Sequence, residues 1–315
     1  VKLARRRALE ARAAALVEGS VARLPRSAAL GCGRALGRAW AALDRRHVAI
    51  AVSNLRQAFP AWPEERALRT ARGVYAHLGQ MLLDIFWLGR RSRTEVLDLV
   101  EVSGREHVDA AMAAGRGAIL VTGHLGNWEL HGVAHGYLFG PIAVVARPLD
   151  NPELDARLCR FRSRGGNTVI YKQKALAQIL RALRAGRGVA ILIDQNVQQD
   201  DGIFVSFFDR PAATTTVAAA IALKTGAALI PCYTSALPDG RYRLTYRPAV
   251  RWDERADRRD EIGRLTQALT QEIEQAVRAA PEQWLWIHRR WKTQPRHEPS
   301  LERVGAVAGD GGQRA

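Results

Sequence analysis

The chain predicts an α/β fold: a mostly parallel central sheet flanked by helices, preceded by a basic helical region at the N-terminus. Three observations carry this. Short apolar runs recur at 118–121, 142–146, 189–193 and 227–233, each bounded by Gly or polar residues. Helical patterns separate the runs, the alternation expected of parallel strands joined by crossovers. Of the 315 residues, 47% are hydrophobic, enough to fill a sizeable core.

Taken in order, the first 46 residues hold eleven basic side chains, among them Arg5, Arg12, Arg34 and Arg38, against Glu10, Glu18 and Asp44. Arg-rich faces alternating with Ala and Leu faces read as helix. A helix lying in a lipid headgroup layer and an ordinary solvated arm both fit. From Glu64 to Leu88 the residues Leu68, Ala71, Tyr75, Leu78, Leu82, Ile85 and Leu88 advance by steps of three and four behind Pro63, which predicts a helix with this face in the core. Helices are then expected at 126–138, 152–164, 174–185 and 214–225, between the four apolar strands. "LPDGRYRLTY" at 237–246 reads as a hairpin turn entering an edge strand. Beyond Arg296 the chain is rich in Pro, Gly and charge, and a disordered tail is expected. The predicted organisation is a basic, membrane-associated helical region at 1–60, a catalytic domain at 61–295 and a tail at 296–315.

Charge narrows the partners without choosing one. The net charge is +16 and the isoelectric point near 10.8, so nucleic acid, anionic lipid and acidic protein would all be attracted. Cys32, Cys159 and Cys232 are far apart and form no CxxC pair, which fits a reducing compartment. No stretch reaches the ~18 to 20 apolar residues of a spanning helix, and no signal-peptide pattern opens the chain. A peripheral association is the expectation.

The densest chemistry lies in "VTGHLGNWEL" at 121–130, where a buried strand ends in Gly123 and delivers His124, Asn127, Trp128 and Glu129. In an open parallel sheet, ligands bind beyond the carboxyl ends of the strands. A histidine beside a carboxylate makes a general base near neutral pH. His124 and Glu129 meet only if the histidine precedes the first full helical turn, a condition the strand-to-helix junction supplies. The same spacing recurs at His297 and Glu302, but in the polar tail with no strand before it. No G-x-S-x-G elbow or neighbouring cysteine offers a nucleophile, so the proton to be taken belongs to a substrate hydroxyl. His131 and His135, spaced i, i+4, lack the glutamate of a zinc-protease helix and a closing ligand set; packing or hydrogen bonding is expected of them, and no metal.

Seven collinear blocks resemble the bacterial lipid A biosynthesis (late) acyltransferases and their phosphatidylinositol mannoside acylating relatives, within the broader lysophospholipid acyltransferase group. They are "NLRQAFP" at 54–60, "TGHLGNWEL" at 122–130, "VVARPLDNPELD" at 144–155, "AILIDQN" at 190–196, "FFDRPAATTT" at 207–216, "TGAALIPCY" at 225–233 and "PEQWLWIHRRWK" at 281–292. The resemblance implies a glycerolipid acyltransferase-like fold and transfer of an acyl group from an acyl carrier protein or coenzyme A thioester to a hydroxyl of a membrane glycolipid. No further cofactor is implied. Residue by residue, the family's base falls on His124 and its acidic partner on Glu129, with Glu where many lysophospholipid members have Asp.

Asp194 matches a second carboxylate able to reach the histidine, although capping of the loop after its strand explains it equally well. Arg147, at another strand end, suits a phosphate or the oxyanion, helped by backbone amides near Gly126; a structural salt bridge suits it too. Arg162 and Arg164 form a basic pair fit for a headgroup or for a solvated face, and Asn127 and Trp128 are placed among the substrate-binding candidates. "QWLWIHRRWK" suits a membrane interface or a glycolipid phosphate, with nucleic acid set aside because no binding motif accompanies it. The expected partners are therefore an anionic membrane surface, a glycolipid acceptor and the thioester donor, on the cytoplasmic face of a bacterial inner membrane. A lipid hydrolase and a non-catalytic binding protein are the competing classes.

Overall fold

The computed structural model describes residues 2–171 and 175–295; the expected tail at 296–315 lies outside them. Three helices lead: α1 (Lys2–Val21), α2 (Arg26–Leu43) and α3 (Arg45–Ala58), followed by the long α4 (Glu64–Leu88). A Cβ added at Gly37 would stand 2.0 Å from the Tyr75 carbonyl oxygen, so the missing side chain lets α2 and α4 close onto each other. Arg26 ties the same pair together, donating at 2.9 Å to each oxygen of the fully buried Asp84 and at 2.7 Å to the Gly240 carbonyl. On α4 the expected Ala71, Tyr75 and Leu88 are buried, but Leu82 is exposed. The helix is enclosed by α1, α2 and α3 on adjacent sides, and its buried surface rotates to take in Ala67, Thr70, Val74 and Met81.

The chain continues through α5 (Arg93–Leu97), β1 (Val100–Ser103), α6 (Arg105–Ala113), β2 (Ala118–Thr122), α7 (Trp128–Phe139), β3 (Ile142–Ala146) and α8 (Pro152–Arg162). Next come β4 (Thr168–Tyr171), α9 (Ala175–Arg184), β5 (Gly188–Leu192), β6 (Ile203–Phe207), β7 (Arg210–Thr214) and α10 (Val217–Thr225). The last elements are β8 (Ala228–Ala236), β9 (Tyr242–Tyr246) and α11 (Arg258–Ala279). Seven strands form one sheet in the order β1-β9-β8-β2-β5-β3-β4, and β6 with β7 forms a separate hairpin. Within the sheet the pairings are parallel apart from β8 with β9. The expected hairpin into β9 is present, but β9 is an interior strand because β1 pairs along its outer side.

β2 is buried at every position, as a central parallel strand should be. Its alternate residues feed two cores: Ile119 and Val121 pack toward α3, α4, α9, α10 and α11, while Ala118 and Leu120 pack toward α5, α6, α7 and α8. The result is a three-layer sandwich with β2 and β5 at its centre. Among the described residues no helix is long and apolar enough to cross a membrane.

Candidate active site

The parallel register of β2 and β5 sets Thr122 opposite Leu192. Two residues further along each strand, at matching carboxyl ends, stand His124 and Asp194. The loops there turn toward each other. Asp194 Oδ1 lies 2.8 Å from His124 Nδ1, and Asp194 Oδ2 accepts the His124 backbone N–H at 2.7 Å and the Trp284 indole N–H at 2.8 Å. Three donors therefore hold one buried carboxylate. Burial alone would push the Asp194 carboxyl up, but the His124 charge and these hydrogen bonds bring it down to about 2.

An ionised carboxylate can only accept, so Nδ1 carries the ring proton and Nε2 of His124 presents its lone pair. Gln195 Nε2, at 3.4 Å, is the neighbour of that nitrogen. The His124 side chain keeps 19% of its surface exposed, so the ring is reachable along one edge. Burial disfavours its cation, yet the field and hydrogen bond of Asp194, with a further contribution from Glu129, raise its pKa above the ordinary value.

Two glycines make this loop possible. A Cβ on Gly123 would meet Asp194 Oδ2 at 2.9 Å, so the position serves close approach. Gly126 adopts φ of 61°, and a Cβ there would strike the Thr234 carbonyl oxygen at 1.8 Å. The loop's backbone is pinned as well. Gly126 N–H donates to the Gln283 carbonyl at 2.9 Å, Leu285 N–H donates to the His124 carbonyl at 3.1 Å, and His77 Nε2 donates to the Gly126 carbonyl at 3.1 Å.

The other expected site residues divide. Glu129 opens α7 near His124, but both its oxygens are taken by Arg162, at 2.7 and 2.5 Å, in a buried pair. The ring's direct carboxylate partner is thus Asp194, because strand register brings those two together while the turn into α7 carries Glu129 toward α8. Asn127 caps α7 by accepting the Leu130 N–H at 3.0 Å, and its buried Nδ2 has no partner among the described residues. The Trp128 ring stands edge-on to His124, with centroids 5.1 Å apart.

Arg147 and Arg164 are not part of this cluster. Arg147 is exposed beside Asp150 at 3.5 Å, having left β3 toward solvent. Arg164 spends its guanidinium on the Leu88 and Arg91 carbonyls, tying the end of α8 to the end of α4. The Gly126 amide is likewise committed to Gln283 and is not free for an oxyanion. His131 and His135 are buried and bonded to the Thr234 and Tyr246 hydroxyls, each at 2.9 Å. Burial pushes them down to about 4 and about 3, so both are neutral at physiological pH.

The C-terminal aromatic block corrects the expectation of an interfacial belt. Trp284, Trp286, Trp291 and Arg290 are buried, Arg290 donating at 2.7 Å to the Ala213 carbonyl and also to the Thr214 hydroxyl. This segment bridges Leu125 to Trp284 and buttresses the His124 loop. Trp284 and Gln195 are site residues that sequence reasoning missed. Gln195 directly follows Asp194, whereas nothing local to Trp284 signals its partner. Two cavities of about 1100 and 1340 Å³ lie along α2, α3 and α4, lined by neither His124 nor Asp194.

A mostly parallel sheet with a His–Asp pair beyond its strand ends is a site at which a bound hydroxyl could give up its proton. The sequence model of the bacterial lipid A biosynthesis acyltransferases matches residues 7–293, and the chain belongs to that family. It is an acyltransferase. The chain is 31% identical over 277 residues to a lipid A biosynthesis lauroyltransferase of Escherichia coli K12, covering 86% of this chain and 87% of that one. A lipid A biosynthesis palmitoleoyltransferase of the same organism is 29% identical over 263 residues, 82% of each chain. A phosphatidylinositol mannoside acyltransferase of Mycobacterium tuberculosis H37Rv is 29% identical over 209 residues, 65% of this chain and 63% of that one.

Proposed function

We propose that this protein transfers a fatty acyl group from a thioester, on acyl carrier protein or coenzyme A, to a hydroxyl of a membrane glycolipid, with His124 as general base. The single observation that carries the reading is the His124 ring, held through Nδ1 by ionised Asp194 with Nε2 facing the side-chain amide of Gln195 at 3.4 Å. The acceptor O–H gives its proton to Nε2 as its oxygen attacks the thioester carbonyl carbon. The tetrahedral intermediate then collapses, the C–S bond breaks, and the imidazolium returns the proton to the departing thiolate. Asp194 stabilises the imidazolium, Trp284 and the His124 amide fix Asp194, and the Glu129–Arg162 pair holds the start of α7.

A lipid A precursor is the preferred acceptor, supported by the names of the lipid A relatives over most of the chain. A mannosylated phosphoinositide is the second choice, supported by the mycobacterial relative. The exposed Leu9, Leu16, Leu36, Trp40 and Leu43 of α1 and α2, among arginines, support peripheral seating on an anionic cytoplasmic membrane face. The test supplies purified protein with an acyl thioester, with and without each glycolipid, and reads products by mass spectrometry. Acylated glycolipid is expected. Free fatty acid irrespective of acceptor would make the protein a hydrolase, and no turnover of any thioester would defeat the reading.

A further inference from the structure

The larger cavity is cationic and lies outside the catalytic cluster. Arg34 and Arg38 of α2, Arg66, Arg69 and Arg72 of α4, and His77 line it, with Glu282 the sole carboxylate among the lining residues. Arg38 and Arg72 also line the smaller cavity, where Arg45 continues the positive surface and Arg56 pairs with Glu64 at 3.4 Å, so the two hollows form one trough. These charges are largely unspent. Arg38 and Arg72 make no hydrogen bond or ion pair with the described residues, Arg34 reaches only Gln80, and Arg66 lies over the Trp62 ring at 4.0 Å. Arg69 approaches exposed Glu65 no closer than 3.8 Å.

The layout distinguishes possible ligands. Arg66, Arg69 and Arg72 spread over about 9 Å of helix axis at ~1.5 Å per residue, facing a second row on α2. A single phosphate is served by guanidinium forks converging on one point, each able to give it two parallel hydrogen bonds. A row of separated guanidiniums instead matches carboxylates repeating every three or four residues on a partner helix, about 5 to 6 Å apart. Direction also matters. At 3.6 residues per turn Arg34 and Arg38 stand roughly 180° around α2 from the exposed Leu36, Trp40 and Leu43. A bilayer met by that apolar stripe leaves the trough facing water. At its floor, Gln283 and His77 hold the backbone of Gly126, two residues from His124.

We infer that the α2–α4 arginine trough is the docking face for an acidic, thioester-bearing carrier protein, seated on an acidic helix and delivering its acyl group to the His124 loop. This rests on the acyl-transfer reading above and names its donor. The test compares the full-length wild type with R38E/R72E and R38K/R72K, both sites being exposed. Affinity for carrier protein lacking its thioester arm is read by fluorescence anisotropy. Transfer is read with acyl carrier protein and with an uncharged acyl-N-acetylcysteamine thioester.

Charge reversal is expected to weaken carrier binding and raise KM for the carrier donor by at least tenfold, leaving kcat and the uncharged donor unchanged, while the lysine variant stays within about threefold. Unchanged carrier affinity would overturn the proposal. So would an equal loss with the uncharged thioester, or a loss of binding to anionic vesicles in place of carrier. Should the wild type use no thioester at all, the acyl-transfer reading fails, and the anisotropy titration still decides the docking face.

Discussion

In the proposed mechanism His124 and Asp194 divide one task between a ring with 19% of its surface exposed and a buried charge. Removing the ring with His124→Ala should lower turnover about 10² to 10⁴-fold while the fold is kept, the usual worth of a general base. With the neutral ring as the working form of the proposed base and its pKa raised, kcat/KM should climb with pH through a value above 6.5. Asp194→Asn removes the largest charge favouring the cation, so that limb should move to lower pH as the plateau falls. A pH profile unmoved by the substitution would uncouple the two residues. Glu129 calls for a different measurement. In Glu129→Gln, Arg162 keeps a buried cation without its counter-charge, at a cost of about 3 kcal/mol, seen as a lower urea midpoint at pH 8. Its smaller field on His124 should move the pH limb less than Asp194→Asn does. At this scale the sequence named His124, Glu129 and Asp194 and left open which carboxylate is the direct partner of the ring. Glu129 is five residues away along the chain, whereas Asp194 is adjacent only once β2 and β5 pair. The Trp284 bond to Asp194 spans 90 residues and leaves no local pattern.

Among the elements, the strands that were legible are those with continuous apolar runs. β2 and β5 occupy the sheet centre, where both faces are covered and the run is the signature. β1 and β4 escaped because each is a four-residue edge strand, largely half-buried or exposed, with no run to detect. The β6–β7 hairpin turns at Phe208 and Asp209, both at positive φ, a conformation their residue types do not announce. α7 was expected from its residues, but the neutrality of its two histidines is a product of burial. Their pKa values are depressed in the folded chain, so the stability they confer is complete above the unfolded value of 6.5. It is lost as pH falls toward about 4 for His131 and about 3 for His135. Below 6.5 each should remove about 1.4 kcal/mol per pH unit, roughly 4 kcal/mol together by pH 5. His77 and His288 lean the same way, and among the described histidines His124 leans against them. Urea midpoints at pH 8, 6.5 and 5 should therefore fall steeply only over the lower interval. A flat series would mean that these imidazoles are hydrated.

Across the whole molecule, the +16 charge acquires a direction from the way exposed apolar groups are gathered. Leu3, Leu9, Leu16, Leu36, Trp40 and Leu43 all belong to the first two helices, while the tryptophans that seemed interfacial in the sequence are buried around Trp284. Composition alone could not separate these two aromatic sets, since burial depends on whether a segment crosses the sheet ends or the outer helical layer. Leu36, Trp40 and Leu43 recur at i, i+4 and i+7 along one stripe of α2, with Trp40 at its inner border against Tyr75 of α4. Burying a leucine side chain fully is worth about 1.5 to 3 kcal/mol, and a headgroup layer recovers part of that for three side chains at once. Arginine attraction to anionic lipid adds to it and is screened by salt, with a decay length of about 8 Å at physiological ionic strength. The triple variant L36S/W40S/L43S should therefore weaken binding to anionic vesicles at least tenfold, equivalent to about 1.4 kcal/mol, and its residual binding should be the more salt-sensitive part. Leu36 and Leu43 are exposed in the fold, so L36S/L43S should leave the unfolding midpoint close to wild type, whereas W40S also removes the edge-on contact of Trp40 with Tyr75 and should lower it. Vesicle affinity equal to wild type at both low and physiological salt would move the membrane face elsewhere on the molecule.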